Sequence, residues 1–313
     1  MIDEPGDGPR DLRDRPFTTQ QALDAGMTHD QLTRAVRSRW LRRPVKGVYV
    51  PATLEDTLET RCAALSLSVP DDAFIADHSA AWLIAGDRAL VPGDHLTVPE
   101  VSCFRTRTGS RLRRHQVRSG ERELRADEIM ELGGLQVTTP LRTALDIGRL
   151  ARNTDVRLHG MDTMLSMGVF TQAELLAEVP RFKGYRGVVG LRALAPLADG
   201  GSQSFGESAL RLRWHQAHLP WPTTQHPVPG TPYILDIALP EETFGPEYDG
   251  EEFHSSPDQK AHDATRRREI HRAGWTVEVF RKEHVFGPRQ NAERRLRATY
   301  DALVLGRTSR TYL

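Results

Sequence analysis

Chemistry in this chain of 313 residues is most concentrated at GPEYDGEEFH, residues 245–254, where Glu247, Asp249, Glu251 and Glu252 are followed by His254. Carboxylates gathered in one place lose hydration and repel unless something positive neutralises them. A further acid, Asp236, interrupts the apolar run YILDIALP at 233–240, a locally unfavourable choice that calls for compensation. Alternation puts Leu235, Ile237 and Leu239 on one face of that strand and Asp236 on the other. A second strand is expected to end at Glu247-Tyr248-Asp249 and turn at Gly250. Residues two apart share a strand face, so Glu247 and Asp249 point the same way. If the two strands are neighbours, Asp236 meets them. Three such carboxylates call for a divalent cation, or for pairing with Arg266, Arg267 and Arg268 downstream.

The elements that must hold these acids are readable nearby. Ser204 stands three positions before Glu207, a capping-box pattern that opens a helix over 204–217. Ser256, Pro257, Asp258 and Gln259 form a consistent start signal for a second helix, and Gly274 suits its end. That helix is polar almost all round, and WTVEVF at 275–280 alternates as a strand. The preceding stretch RFKGYRGVVGLRALAPLADGGSQ, 181–203, reads as a linker or hinge.

The order helix, strand, acid-terminated strand, helix, strand over 196–290 resembles the core of the PD-(D/E)XK nuclease superfamily. More narrowly, it resembles a bacterial group akin to the very-short-patch-repair endonuclease. The matching residues are Ser204 to Glu207, Gln225, Asp236, Glu247-Tyr248-Asp249-Gly250, His254, Asp263, Arg267 and Gly274-Trp275. The resemblance implies a restriction-endonuclease-like domain in which Asp236 and Glu247 ligate Mg²⁺ or Mn²⁺. Glu207 then completes the shell or orients water, and His254 accepts a proton or stabilises the leaving group. Gln225, Asp263 and Arg267 are implied as supporting residues. Mg²⁺ prefers oxygen ligands and keeps several waters, so two or three carboxylates suffice. Asp249 stands where the superfamily places lysine. Gly245 and Pro246 stand where an apolar β-run is expected, and proline suits only an edge or a bulge.

The N-terminal stretch FTTQQALDAGMTHDQLTRAVRSRWLRRPVKGVYV, 17–50, carries two capping boxes, Thr18 with Gln21 and Thr28 with Gln31. Two short helices follow, then a basic β-hairpin around Gly47, the order of a winged helix. Arg34 and Arg37 project outward from the second helix, so Arg34 is expected at base edges. Arg37, Arg39, Arg42, Arg43 and Lys46 are expected at phosphates. This region resembles the abortive-infection antitoxin family AbiEi, together with ADHSAAWLIAG at 76–86, HLTVPE at 95–100 and LQVTTPLRTALDIGRL at 135–150. The resemblance covers about the first half of the chain. It implies DNA as a partner, often with repression of the protein's own operon, and a cognate toxin as a candidate second partner. Thr139 before Pro140, and Thr171 with Glu174, mark further helix starts in the middle of the chain.

Totals set the outer limits. Forty-two basic and 42 acidic residues give a formal net charge of zero, and 38% of residues are hydrophobic. Basic residues nevertheless cluster early and acids late, which permits nucleic-acid contact by the first half. No apolar run reaches the roughly 20 residues that span a bilayer. The polar opening is neither a signal nor a transit peptide, and two cysteines without metal spacing give no disulfide framework, so a cytoplasmic location is expected. The expected fold is a multi-domain α/β protein. Its parts are a flexible 1–16, a winged helix over 17–55, a mixed α/β middle over 56–195, the restriction-endonuclease-like domain over 196–290 and a C-terminal helix and tail. The expected function is DNA binding joined to Mg²⁺-dependent hydrolysis of DNA phosphodiesters, in phage defence or DNA repair. The rival is a non-catalytic repressor whose nuclease-like domain cuts nothing.

Overall fold

A computed structural model describes residues 10–92, 100–105, 117–250 and 257–311. The N-terminal unit begins with β1 (Phe17–Thr18), α1 (Thr19–Asp24) and α2 (His29–Arg37), then the hairpin β2 (Leu41–Val45) and β3 (Val48–Pro51). Both predicted capping boxes form: Thr18 and Thr28 accept from the N–H of Gln21 and Gln31, whose side chains accept in return. Each cap satisfies donors that a helix start leaves orphaned. The three strands lie in the order β1-β3-β2. A small core of Phe17, Ala22, Met27, Leu32 and Tyr49 closes the unit.

The hairpin is not self-contained. Val45, Val48 and Val50 are buried in a second core with Leu65, Ile75, Leu83, Val101 and Val137. These come from α3 (Leu58–Ser66), β4 (Phe74–Ile75), α4 (Asp77–Ala85), β5 (Val101–Phe104) and β8 (Leu135–Thr138), with Val117 of β6 (Val117–Arg118) and Leu132 of β7 (Ile129–Leu132) packed against them. The five strands β4 to β8 pair in the order β6-β5-β4-β8-β7. Head and sheet therefore share apolar residues across the expected boundary at 55.

Four helices follow: α5 (Pro140–Leu150), α6 (Thr154–Leu165), α7 (Gln172–Glu178) and α8 (Val188–Leu194). Thr139 and Thr171 cap α5 and α7 as their spacing predicts. Phe182, Val188, Leu191, Leu194, Ala195 and Ala198 are buried in one core with Leu145, Leu158 and Met161. The stretch 181–203 is thus no linker or hinge over most of its length. Its glycines suggested a flexible connection, but the apolar residues between them supply a packed helix.

The C-terminal part comprises α9 (Phe205–Gln216), β9 (Thr223–Pro227), β10 (Ile234–Ala238), β11 (Phe244–Tyr248), α10 (Pro257–Arg272), β12 (Thr276–Phe280), α11 (Lys282–Val285) and α12 (Ala292–Thr311). Strands β9 and β10 are antiparallel, whereas β11 and β12 are parallel. A bridge between Leu239 and Phe244 joins β10 to β11. Helix α9 is buried over most of its length because it serves two cores: Leu212 packs with α5 and α6, while Ala209, Leu210 and Trp214 pack with Phe244, Phe280 and Leu296. Two ion pairs reinforce that junction. Arg211 meets Asp162 at 2.6 Å, and Arg213 meets Asp155 at 2.9 Å. Among the described residues, no helix is long and apolar enough to cross a membrane.

Candidate functional site

Three of the predicted acids are brought together. Glu207 lies in the first turn of α9, Asp236 in the middle of β10 and Glu247 near the end of β11. Two glycines make this approach feasible. A side chain at Gly245 would come within 2.7 Å of Leu235 Cδ1 and 3.1 Å of the Ile237 carbonyl oxygen, so glycine lets β10 and β11 lie close. A Cβ at Gly206 would overlap the ring of Tyr248, so the start of α9 rests directly on the end of β11. Glu207 and Glu247 are the chain neighbours of these two contacting residues.

Pro246 is accommodated for a backbone reason. The N–H of Asp249 donates to the Phe280 carbonyl at 2.8 Å, toward β12. Strand N–H groups alternate, so the nitrogen of Pro246 faces β10, as does the N–H of Phe244, which donates to Leu239. Beyond the Leu239–Phe244 bridge, no β10–β11 ladder pair is formed that would need a donor from residue 246. The missing donor costs little at that position.

Charge in the site is poorly compensated. Burial pushes the carboxyl of Asp236 above the ordinary range, against the attraction of Arg266. Burial also raises Glu207, and the charge on Asp236 raises it further. Glu247, 7% exposed, is raised by burial too; Arg266 opposes this shift and Asp236 adds to it. Asp236 is therefore felt by both other acids. Gln225 sits opposite Asp236 in the β9–β10 pairing with φ of +49°, a strained backbone for a residue other than glycine. Its side-chain oxygen accepts from Gln203 at 3.1 Å. The Glu207 carboxylate accepts from the Gln203 N–H at 2.8 Å, and Ser204 accepts from the Glu207 N–H at 3.1 Å. Ser204 thus caps the helix, while the Glu207 carboxylate ties down the residue before the cap and faces the other acids.

The predicted supporting cast is revised. Arg266, not Arg267, is the cation at the site: its Nη1 lies 2.6 Å from Glu247 Oε1, and its Nη2 donates to the Ile234 carbonyl at 2.9 Å. Arg266 and Arg267 stand four and three residues before the fully buried Ile270, so helical spacing alone does not separate them; in the fold Arg266 is half-buried and Arg267 exposed. Arg267 affects Glu247 only through its charge. Asp263 is half-buried on α10. Asp249 continues past β11 and meets Arg281 at 3.6 Å. His254 lies outside the described residues.

The donor set suits Mg²⁺ in kind: carboxylate oxygens from Asp236 and Glu247, with Glu207 beside them, all destabilised as anions in the metal-free chain. Among the described residues no cluster of three or more ligating side chains forms a ready-made metal site. Two carboxylates completed by water is the arrangement that fits.

The basic residues of the head divide into two groups. Arg34, Arg37 and Arg39 are exposed and form no ion pair among the described residues. Arg42 donates to the Leu54 carbonyl at 2.7 Å and faces Asp87 at 3.6 Å and Asp56 at 3.9 Å. Lys46 faces Glu100 at 3.7 Å, and Arg43 lies over the Tyr49 ring at 5.3 Å. Arg42 and Lys46 thus have acidic neighbours within the fold, unlike Arg34, Arg37 and Arg39.

A second feature, unread in the sequence, is a buried ion network in the middle of the chain. Asp146 accepts from Arg142 and Arg149 at 2.8 Å each and from Arg122 at 3.0 Å. Burial alone would raise its pKa, but the guanidiniums outweigh burial and hold it below the ordinary carboxylate range. Arg122 bridges onward to Asp77, whose φ is +52°, and Arg142 to Glu128. Helix α5 could have suggested this, since Arg142, Asp146 and Arg149 recur at spacings of four and three residues.

The described residues form a mixed α/β protein of several small sheets and about a dozen helices, with Glu207, Asp236 and Glu247 near one another in its C-terminal part. No protein-family model matches the chain. The chain belongs to one family with the uncharacterized proteins Rv2248 and MT2308 of two Mycobacterium tuberculosis strains, each 32% identical to it over 254 residues. That match covers 80% of this chain and 89% of each relative.

Proposed function

We propose that the chain binds DNA and hydrolyses its phosphodiesters in a Mg²⁺-dependent reaction at Asp236, Glu247 and Glu207. One observation carries the reading: Asp236 lies near enough to Glu247 on the adjoining strand, and to Glu207 on α9, for its charge to raise the pKa of both. The element order from α9 through β12 supports it, as the order of a restriction-endonuclease-like core. A bound Mg²⁺ would polarise the scissile phosphate and lower the pKa of a coordinated water. Asp236 and Glu247 would supply the ligands, and Glu207 would orient the water. Tyr248 and Gly206 keep the helix that carries Glu207 against the strand that carries Glu247. The exposed Arg34, Arg37 and Arg39 would draw DNA to the N-terminal unit, a winged helix in this reading, as expected for an AbiEi-like head. The test is nicking of supercoiled plasmid in Mg²⁺ or Mn²⁺ by the parent beside Asp236→Ala. Nicking by the parent alone is expected; equal activity in both would exclude this site.

The Arg266–Glu247 pair favours a second reading, in which a guanidinium permanently fills the cation's place and the protein is a non-catalytic DNA-binding regulator. The two readings part on metal linkage. If Mg²⁺ competes with Arg266, Arg266→Gln lowers the Tm in EDTA, because the buried Glu247 loses its counter-ion at a cost of about 3–5 kcal/mol. Millimolar Mg²⁺ then restores more Tm in the variant than in the parent. A variant whose Tm ignores Mg²⁺ would favour the regulator.

A further inference from the structure

A cavity of about 710 Å³ separates the N-terminal unit from the α3–α4 region, and Arg37, Arg39, Arg42 and Arg43 all line it. The opposing wall supplies two carboxylates, Asp56 and Asp87. These are committed elsewhere as well: Asp56 lies 3.4 Å from Arg61, and Asp87 accepts from the Trp82 ring N–H at 3.2 Å. Of the four arginines only Arg42 faces these acids, at 3.6 and 3.9 Å, distances of ion pairs rather than of tight hydrogen bonds. The buried Nε groups of Arg42 and Arg43, and Oδ1 of Asp56 on the opposing wall, have no hydrogen-bond partner. Arg39 holds φ of +62°, a strained backbone that persists at an exposed arginine bordering the cavity. Leu41 and Leu90 add an apolar surface to the same walls. Four arginines against two carboxylates, with an apolar surface beside them, match a ligand that carries phosphate together with a less polar part.

We propose that this cleft binds a phosphate-bearing ligand of nucleotide size, with Arg39 and Arg43 as the principal phosphate contacts. The chemistry is common to a free nucleotide and to a nucleotide within a strand. The site does not depend on the carboxylate cleft and is present whether or not the chain cuts DNA. Arg42 has a different part: its bonds to Leu54 and its pairs with Asp56 and Asp87 hold the two walls together.

The test uses the full chain in EDTA, which removes any metal-mediated phosphate binding at Asp236 and Glu247. ATP and pyrophosphate are titrated calorimetrically, with Trp82 fluorescence as a second signal because its ring borders the cavity. The expected result is saturable ATP binding, weaker pyrophosphate binding, and at least a tenfold loss of ATP affinity in Arg39→Gln and in Arg43→Gln. Arg192→Gln, exposed on α8 and outside the cavity, keeps the parent affinity. Thermal melts of each variant separate lost binding from lost folding. Competition by a 20-base-pair duplex then distinguishes the sources: displacement of ATP assigns the site to backbone phosphate, and failure to displace assigns it to a free nucleotide. No binding of either probe at millimolar concentration, or affinity unchanged in both cleft variants, overturns the proposal.

Discussion

Asp236 is the residue on which the acidic cleft turns. It is a carboxylate inside a strand whose neighbours Leu235 and Ile237 are fully buried, and its charge reaches both Glu207 and Glu247. All three acids have pKa values raised by folding, so the native state binds more protons than the unfolded chain above the ordinary values of 3.8 and 4.5. The sign follows: stability from this cluster is fully present below those values and is lost as pH rises through the raised ones. Without metal, Asp236→Asn should therefore raise the Tm at pH 7 and leave it close to the parent's at pH 4. Equal Tm differences at both pH values would mean that Asp236 does not carry the repulsion. Arg266 shows why charge type alone is a poor guide at this scale. Three consecutive arginines, 266 to 268, carry the same charge, yet Arg266 is the one whose guanidinium pairs with Glu247.

At the scale of elements, the contact of α9 with β11 sets the geometry of the cleft. The helix carries Glu207 in its first turn and reaches the strand only because residue 206 has no side chain. Gly206→Ala should push Tyr248 aside, separate Glu207 from Glu247 and abolish plasmid nicking. Alanine is the better helix former, so a net loss of stability would report the overlap with Tyr248. A variant that is more stable and fully active would show that α9 and β11 have room to spare. The other elements were legible because their signals are local. Caps at Thr18, Thr28, Thr139, Thr171 and Ser204 concern groups three residues apart, and the alternation in β10 and β12 needs no knowledge of neighbours. The stretch 181–203 was misleading for the opposite reason: its glycines signal a break locally, while its leucines and valines become a helix only against α5 and α6.

For the molecule as a whole, shared cores matter more than sequence boundaries. Val45, Val48 and Val50 of the hairpin are buried against the middle sheet, so the N-terminal unit is best assayed within the intact chain. In the DNA-binding reading, log affinity should fall with log salt by about 0.9 per phosphate neutralised. Replacing Arg34 and Arg37 with alanine should flatten that slope by about two contacts' worth. Arg42→Ala should lower the Tm instead, since its guanidinium bridges Leu54, Asp56 and Asp87. A slope unaffected by the Arg34 and Arg37 changes would remove α2 from the DNA interface.

Residue order was enough to place most helices and strands, to single out Asp236, Glu207 and Glu247 as chemically unusual, and to set the basic hairpin apart from the acidic C-terminal part. Such features arise from neighbours within a few positions, where backbone geometry and periodicity act directly. Folding alone settled which cations are spent and which are free. Arg266 reaches Glu247, Arg281 reaches Asp249, and Arg42 is taken by Asp56 and Asp87. Charge pairing depends on distance in space, and identical arginines differ only in what the fold brings within a few ångströms.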